Sequence, residues 1–456
     1  RGWSYGSSVS DPRTGEIIKG HVSLGSLRIR QDFMIALGLL EAPFAEGVNK
    51  ENEALKMALA RIRQLSAHEI GHTLGFAHNF TSSAKNRTSV MDYPHPNIEM
   101  KGDQISIANA YEVGIGDWDK VTVAYAYSDF PEGTDEKEAL NAVIDQSAAA
   151  GHRFISDSDA RPIGGAHPNA HLWDNGGVAT DELARLMKIR KQALGQLSLD
   201  HLREGEPYST LEDRFVPMYL LHRYQVEAVV KLIGGVDYDY AVKGSQNYQV
   251  QVVDATTQRN ALLGYLNALA PDALAIPENL HPLLPPRSFS NPRTRENFLS
   301  QTGVAFDYLG IAQSLSDALI GMLLHPDRAN RLVTQYGFDA NQLSLKEMLD
   351  TLVDSHFKVK PRDRHQAQLN DLVKSTILKH LMYLGQQPDA NPIVKALVVK
   401  QLVALDRWLA GQEEEGFSEV YRMQIDRYFE APADFQPPTP KRLPDGSPIG
   451  SYSCDF

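Results

Sequence analysis

Three histidines and a glutamate stand close together early in this sequence. His68 and His72 are four residues apart, so on a helix both imidazoles project from one face and can reach one metal ion. Glu69 lies between them, close enough to hydrogen-bond a water held on that ion. Gly75 can adopt the positive φ that ends a helix and turns the chain back. This turn would bring His78 to the same ion from outside the helix.

The spacing of these residues indicates a catalytic zinc site. The pattern His-Glu-x-x-His-x-x-Gly-x-x-His arises by chance on the order of once in ten thousand sequences of this composition. Three neutral imidazoles and one water are the composition of a catalytic site, whereas a structural site has a fourth protein ligand. We therefore predict one Zn²⁺ held by His68, His72 and His78, with Glu69 as the general base that activates the water.

A second motif, Ser-Val-Met-Asp-Tyr-Pro, follows at residues 89–94. Together with the extended histidine motif it resembles a metzincin metallopeptidase with its Met-turn. The residues of these two motifs are most similar to those of the Met-zincin domain of large secreted bacterial zinc-dependent metalloproteases. Further resembling stretches lie at residues 2–6, 11–17 and 25–32. The stretches that match the family closely lie within residues 1 to about 130, and the helical remainder of the chain matches the family more loosely.

The resemblance implies roles for two residues of the second motif. Met91 would be the Met-turn residue, which packs the floor beneath the metal without binding it. Tyr93 matches a tyrosine that some metzincins use as a switchable fifth ligand and as a donor to the oxyanion. On sequence alone, Met91 could be an ordinary core residue and Tyr93 a merely packed ring. Asn79 departs from several metzincin subfamilies, which have an acidic residue after the third histidine.

Composition limits the class of protein. The chain has 456 residues, 42% of them hydrophobic, which is enough for a large core and two or more domains. The net charge of −12 argues against nucleic acid or an anionic membrane as the main partner. No long apolar run predicts a membrane span. A single cysteine excludes an intrachain disulfide but does not indicate a compartment.

The fold expected is α+β, with a metzincin-like catalytic domain followed by a large, mainly α-helical region. The catalytic domain should span residues 1–130 and contain a small mixed sheet and the active-site helix. We expect some of its first strands, and any export signal, to lie upstream of Arg1. A mainly helical domain is predicted for residues 131–430, and a tail rich in proline and glycine for residues 431–456.

Periodicity and turn residues predict the individual elements. Residues 16–24 should form one strand of a hairpin, and in metzincins the matching strand is the edge along which an extended substrate pairs. Asn49 should cap the active-site helix, and Leu55, Leu59, Ile62 and Leu65 should be its packed face. Residues 79–108 read as a loop. Further helices are predicted near 27–40, 117–127, 134–150, 180–202, 209–233, 254–269, 304–324, 344–356, 362–384, 391–411 and 417–429, with a possible hairpin at 238–253.

Residues 152–178 form a long, turn-rich segment, which in a compact domain is often functional or mobile. His167, His171 and Asp174 raise the idea of a second metal site. We favour a solvated loop, because no regular element would fix those ligands.

The expected partner is a protein or peptide substrate, and the expected location is secreted, periplasmic or in the cell envelope. Two other interpretations remain open. One is a catalytically idle metzincin-like fold that serves as a binding or scaffolding module. The other is a different zincin class, in which only His68 and His72 of the motif bind zinc and a later glutamate is the third ligand.

Overall fold

A computed structural model describes residues 4–244, 250–412, 417–439 and 442–445. Within these residues the strands form three antiparallel two-stranded hairpins, which confirms an α+β fold with small sheets. The predicted mixed sheet is thus replaced, in the described part of the chain, by separate pairs. The strands are β1 (Tyr5–Ser10), β2 (Ile17–Ser23), β3 (Glu99–Lys101), β4 (Gln104–Ser106), β5 (Val236–Tyr238) and β6 (Val250–Val252).

Helices make up most of the structure, as predicted. Those before residue 200 are α1 (Ser26–Leu39), α2 (Glu51–Thr73), α3 (Asp117–Tyr127), α4 (Glu136–Ala149), α5 (Asp157–Ala160) and α6 (Ala179–Gln196). The next are α7 (Glu212–Tyr219), α8 (Arg223–Val230), α9 (Ala255–Asn267), α10 (Pro271–Leu274) and α11 (Tyr308–Leu323). The last are α12 (Pro326–Phe338), α13 (Leu345–Phe357), α14 (Arg364–Gln386), α15 (Pro392–Ala410) and α16 (Ser418–Glu430). Short 3₁₀ turns lie at Leu199–His201, Tyr208–Leu211, Glu278–Leu283 and Pro432–Asp434.

Helix α2 carries the histidine motif. The Asn49 side chain accepts a hydrogen bond from the backbone N–H of Glu51 at 2.9 Å, which satisfies a donor at the helix start. The helix ends at Thr73, and Gly75 has a φ of +88°, as the turn required. The predicted packed face was partly wrong. Leu55 and Leu59 are 40% and 49% exposed.

The buried face of α2 is rotated from the predicted one and includes polar residues. Its members are Ala54, Met57, Ala58, Arg61, Gln64, Leu65, His68, Glu69 and Gly71. The positions of the leucines led to the wrong prediction of the buried face of α2. The face that is actually buried carries small residues and an arginine. Helix α1 packs against this helix, so the two zinc-ligand positions rest on a pair of packed helices.

The β1–β2 hairpin lies against the C-terminal half of α2. Gly6 faces the backbone carbonyl of Glu69, and Gly20 faces the side chain of Thr73, so both close approaches use residues without a Cβ. The strands pair in antiparallel register, with Tyr5 opposite Ser23. The hairpin predicted from residues 16–24 is therefore confirmed.

The elements of the structure differ from the predicted ones in several places. The helix expected over residues 209–233 is divided into a 3₁₀ turn, α7 and α8, with Pro217 inside α7. Proline has no N–H to donate, which weakens a continuous helix there. Helix α12 was missed, although Pro326 occupies its first turn. The β3–β4 hairpin lies inside a stretch predicted to be loop.

One large cluster of buried apolar residues extends across the predicted domain boundary. It includes Ile35 and Leu39 of α1, Leu186 of α6, Leu315 of α11 and Leu402 of α15. The boundary near residue 130 remains a prediction. Half of the predicted tail, and the tip of the 238–253 hairpin, lie outside the described residues. No described helix combines the length and apolar character needed to cross a bilayer.

Candidate zinc-binding and catalytic site

The three histidines of the motif converge on one point. The Nε2 atom of His72 lies 3.1 Å from Nε2 of His68 and 3.1 Å from Nε2 of His78. Two nitrogens bound to a tetrahedral zinc at 2.0–2.1 Å stand about 3.3 Å apart. The donor atoms therefore fit one zinc ion. Among the described residues these histidines are the group of three or more potential ligands that meets at one place.

The second nitrogen of each ring has an oxygen partner. Nδ1 of His68 lies 2.6 Å from the Val90 carbonyl oxygen, and Nδ1 of His72 lies 2.9 Å from that of Phe76. Nδ1 of His78 lies 2.8 Å from Oδ2 of Asp157. Because carbonyl and carboxylate oxygens only accept, each Nδ1 carries the proton. Each Nε2 lone pair is then directed to the metal position, the arrangement that metal-binding histidines adopt.

Burial keeps two of these rings neutral. It lowers the pKa of His72 to about 4 and that of His68 well below its ordinary value, and the neighbouring histidines act in the same direction. A neutral imidazole is the form that binds zinc. The site therefore holds these two ligands ready at neutral pH.

Glu69 is buried beside the ligands, with 4% of its surface exposed. Burial raises the pKa of its carboxyl to about 7, although the charge of Arg61 and a hydrogen bond from the Gly6 backbone oppose the shift. A carboxyl with a pKa near the working pH can both take and return a proton.

Met91 lies beneath the site, with 1% of its surface exposed, and packs with Phe76 and Val90. Its sulfur lies against Gly71 of α2. Its backbone carbonyl accepts the N–H of Asn79 at 3.0 Å. The turn is thus tied both to the active-site helix and to the residue that follows the third histidine.

Asp119 at the start of α3 holds this turn from the other side. Its carboxylate accepts the Ser89 hydroxyl at 2.5 Å and the Val90 N–H at 2.8 Å. It also accepts the Gly116 N–H at 2.7 Å, which caps the helix. Since the Val90 carbonyl receives the Nδ1 proton of His68, Asp119 helps to orient that ligand. The sequence predicted only the start of a helix near Asp119.

Tyr93 stands beside two of the ligands. Its ring centroid is 5.4 Å from that of His68 and 4.9 Å from that of His78. Trp173 packs on the tyrosine ring at 4.8 Å and donates its backbone N–H to the Tyr93 carbonyl at 2.8 Å. The Tyr93 hydroxyl accepts a hydrogen bond from Nη2 of Arg161 at 3.2 Å.

Three residues next to the site were not predicted: Asp157, Arg161 and Trp173. All lie in the 152–178 segment, which was recognised only as a turn-rich loop. Asp157 is 79 residues from His78 along the chain, so no local spacing could connect them. Asp157 remains a carboxylate. Its burial acts to raise its pKa, but hydrogen bonds from His78 and Arg161 prevail and lower it.

The residues considered for a second metal site have separate partners. His167 lies 3.0 Å from the Tyr238 carbonyl, and His171 lies 3.4 Å from Glu227. Asp174 accepts the Ser83 hydroxyl at 2.9 Å. These contacts fasten the loop to β5, α8 and the segment after His78.

Comparison with known proteins agrees with this geometry. A family model described as Met-zincin matches residues 50–363. No curated protein and no solved structure matches the chain. The matched stretch contains the three histidines, the Met91 turn and the 152–178 segment, and it covers more than half of the chain. By sequence and by the metal-binding geometry of its histidines, the chain belongs to the Met-zincin family.

Proposed function

We propose that this protein is a zinc-dependent endopeptidase that hydrolyses peptide bonds. The observation that carries the proposal is the convergence of three Nε2 atoms, of His68, His72 and His78, next to a buried carboxyl whose pKa is raised to about 7. Three ligands leave a position for water, as catalytic zinc sites require.

Each protein group has a distinct part in the reaction. Zinc, when bound, supplies a Lewis acid that lowers the pKa of water and polarises the substrate carbonyl. Glu69 accepts the proton of the attacking water and then delivers it to the leaving amine. The Tyr93 hydroxyl donates to the oxyanion that develops on the carbonyl oxygen. Met91 supports the ligands from below and binds neither metal nor substrate.

The substrate is a protein or peptide in extended form. Among the described residues β2 pairs with β1 alone, and its other edge is where we expect an extended substrate to add as a further strand. Ile18 and Val22 of this strand are 67% and 36% exposed, so apolar side chains accompany that edge. Strand β2 lies within the predicted pairing strand, residues 16–24. By analogy with its family, we place the enzyme outside the cytoplasm, in a secreted or cell-envelope setting.

The decisive experiment compares the wild type with Glu69→Gln. Bound zinc is measured by mass spectrometry, and cleavage is measured on a denatured protein and a peptide library. We expect about one zinc per chain in both forms and cleavage by the wild type alone. Glu53→Gln, an exposed change on the same helix, is the matched control and should cleave normally.

Two outcomes would contradict the proposal. A wild type that holds zinc and cuts nothing would support the scaffold interpretation. Full zinc binding and full activity in His78→Ala would support a different zincin class, in which His78 is not a ligand.

A further inference from the structure

Arg161 lies directly after α5, and 12% of its side chain is exposed. Its Nε donates to Oδ1 of Asp157, and its Nη2 donates to the Tyr93 hydroxyl at 3.2 Å. The guanidinium also lies 5.6 Å from the Phe80 ring and 5.4 Å from the Tyr93 ring. One half-buried cation therefore contacts a carboxylate and two aromatic residues, Phe80 and Tyr93.

This cation connects two side chains that lie beside the histidine cluster, Asp157 on the Nδ1 side of His78 and Tyr93 against the His78 ring. The other oxygen of Asp157, Oδ2, lies 2.8 Å from Nδ1 of His78. Arg161 thus holds the carboxylate that orients the third ligand, and through a different nitrogen it holds Tyr93. A planar guanidinium has donors in a fixed fork and can serve both partners, whereas a lysine ammonium is a single point charge.

The direction of the hydrogen bond to Tyr93 matters for chemistry. Because arginine has no acceptor, the Tyr93 oxygen is the acceptor in this contact, and the tyrosine proton is not the one shared with Arg161. The arginine contact therefore fixes the hydroxyl in position without using its donor. A hydroxyl held in this way is prepared to donate to an oxyanion and needs no reorganisation during the reaction.

Contacts with the helical region hold Arg161 in place. Lys231, just after α8, donates to the carbonyl of Ala160, next to Arg161, and to that of Ala170 at 2.7 Å. The hydroxyl groups of Tyr238 and Tyr240 donate to Asp159. The segment from 157 to 161 is thus fastened at both its backbone and its side chains.

The backbone next to Tyr93 is strained, which also indicates that this tyrosine is held in one position. Trp173, which packs on the tyrosine ring, has a φ of +64°. A bulky residue rarely adopts this conformation, and such strain persists where the surroundings demand one position. The Trp173 ring thereby helps to hold the ring of Tyr93 in place.

We propose that Arg161 is a positioning residue that couples the third zinc ligand to the oxyanion donor, through Asp157 on one side and Tyr93 on the other. The proposal rests on the peptidase function stated above. Arg161 does not contact the substrate, because its nitrogens and both neighbouring rings are occupied within the protein.

The test is a double-mutant cycle on the zinc-loaded enzyme, with Arg161→Met, Tyr93→Phe and the double variant. For each variant kcat and KM are measured at saturating zinc. The zinc Kd is measured by competition with a chelator. Tyr93→Phe should lower kcat about 10²-fold and leave zinc affinity unchanged. Arg161→Met should lower kcat and also weaken zinc binding by about 10-fold. The double variant should lose little more kcat than the worse single variant.

Two further variants separate positioning from general loss of structure. Arg153→Met removes an arginine of the same segment that pairs with Asp237 and Asp239 and contacts neither Tyr93 nor Asp157. Its thermal stability should fall, while its kcat loss should simply add to that of Tyr93→Phe. Arg161→Lys keeps a charge beside Asp157 but lacks the fork. It should restore zinc affinity to within about threefold and leave kcat low.

The possible failures are distinguishable. If wild-type protein with bound zinc cleaves nothing, the peptidase proposal fails, and the zinc Kd of Arg161→Met still tests the Asp157 connection. If the wild type is active but the kcat losses at 161 and 93 are additive, or zinc affinity is unchanged in Arg161→Met, the coupling proposed here is overturned.

Discussion

The sulfur of Met91 lies against the backbone of Gly71, in the space that a side chain at position 71 would occupy. Gly71 is the residue before the second ligand, His72. The floor of the metal site is therefore in direct contact with the active-site helix. This contact requires glycine in the last turn of α2, although glycine within a helix is less favourable than alanine by about 1 kcal/mol.

Gly71→Ala should destabilise the protein. The new Cβ would overlap the Met91 sulfur, and overpacking of a filled core costs roughly 1–3 kcal/mol. Urea denaturation of the zinc-free protein measures this loss. Gly195→Ala is the matched control, because Gly195 is also helical and has no atom within 4 Å of its Cβ position. The control should be neutral or slightly stabilising, and equal loss in both variants would contradict the packing argument.

The pH profile of cleavage should have an acid limb set by Glu69. A general base must be unprotonated, so kcat/KM falls as this carboxyl binds a proton. Burial raises its pKa to about 7 from an ordinary 4.5, and a bound cation moves it back down. We expect a midpoint between these two values, measured with bound zinc checked at every pH. A profile that stays flat down to pH 4.5 would contradict this role.

Asp157→Asn should weaken zinc binding about 10- to 100-fold, the usual effect of removing a group that orients a ligand. The change keeps the shape of the side chain but removes the charge that faces His78. Asp181→Asn is the control, since Asp181 is exposed on α6 and lies outside the 152–178 segment. Competition with a chelator measures the zinc affinity of both variants. Equal zinc affinity in wild type and Asp157→Asn would exclude an orienting role.

Acid should destabilise the zinc-free protein between about pH 6.5 and 4. Several buried histidines have a pKa lowered by burial to about 4 from an ordinary 6.5. They are His72, His95, His167, His171, His201 and His356. In this range the unfolded chain binds protons that the folded chain excludes, so stability is present above 6.5 and is lost as pH falls toward 4.

The free energy of unfolding from urea titrations at several pH values measures this loss. Each such histidine contributes a slope of about 1.4 kcal/mol per pH unit. The slope should persist at high salt, because proton uptake, unlike repulsion between surface charges, is not removed by screening. A free energy of unfolding that is constant from pH 7 to 5 would refute the assignment.

Local pattern was sufficient for the parts of the site that lie close in sequence. The spacing of His68 and His72 and the turn at Gly75 each depend on a few neighbouring residues and appear as predicted, whereas the cap of α2 falls at Lys50, one residue after the predicted Asn49. The buried face of α2 was misassigned because Arg61 and Gln64 lie inside it, and burial of such residues depends on partners elsewhere in the chain.

The outer part of the site could not be read from the sequence. Asp157, Arg161 and Trp173 reach the histidines only through tertiary packing, and their loop has no periodicity that fixes a side-chain direction. Lys231 illustrates the same limit, since a buried lysine that fastens this loop has no signature in the residues around it. The predicted roles of Glu69 and Tyr93 remain proposals that the variants above test.

The hydrogen bond between His78 and Asp157 has a consequence for the order in which the parts of the site come together during synthesis. A ribosome releases the histidine motif long before it releases Asp157, Arg161 and the lysine that anchors them. During synthesis the third ligand therefore lacks its carboxylate until the later segment has emerged and docked. Under the proposed function, full zinc affinity and full activity would be reached only after the segment that contains Asp157 and Arg161 has docked.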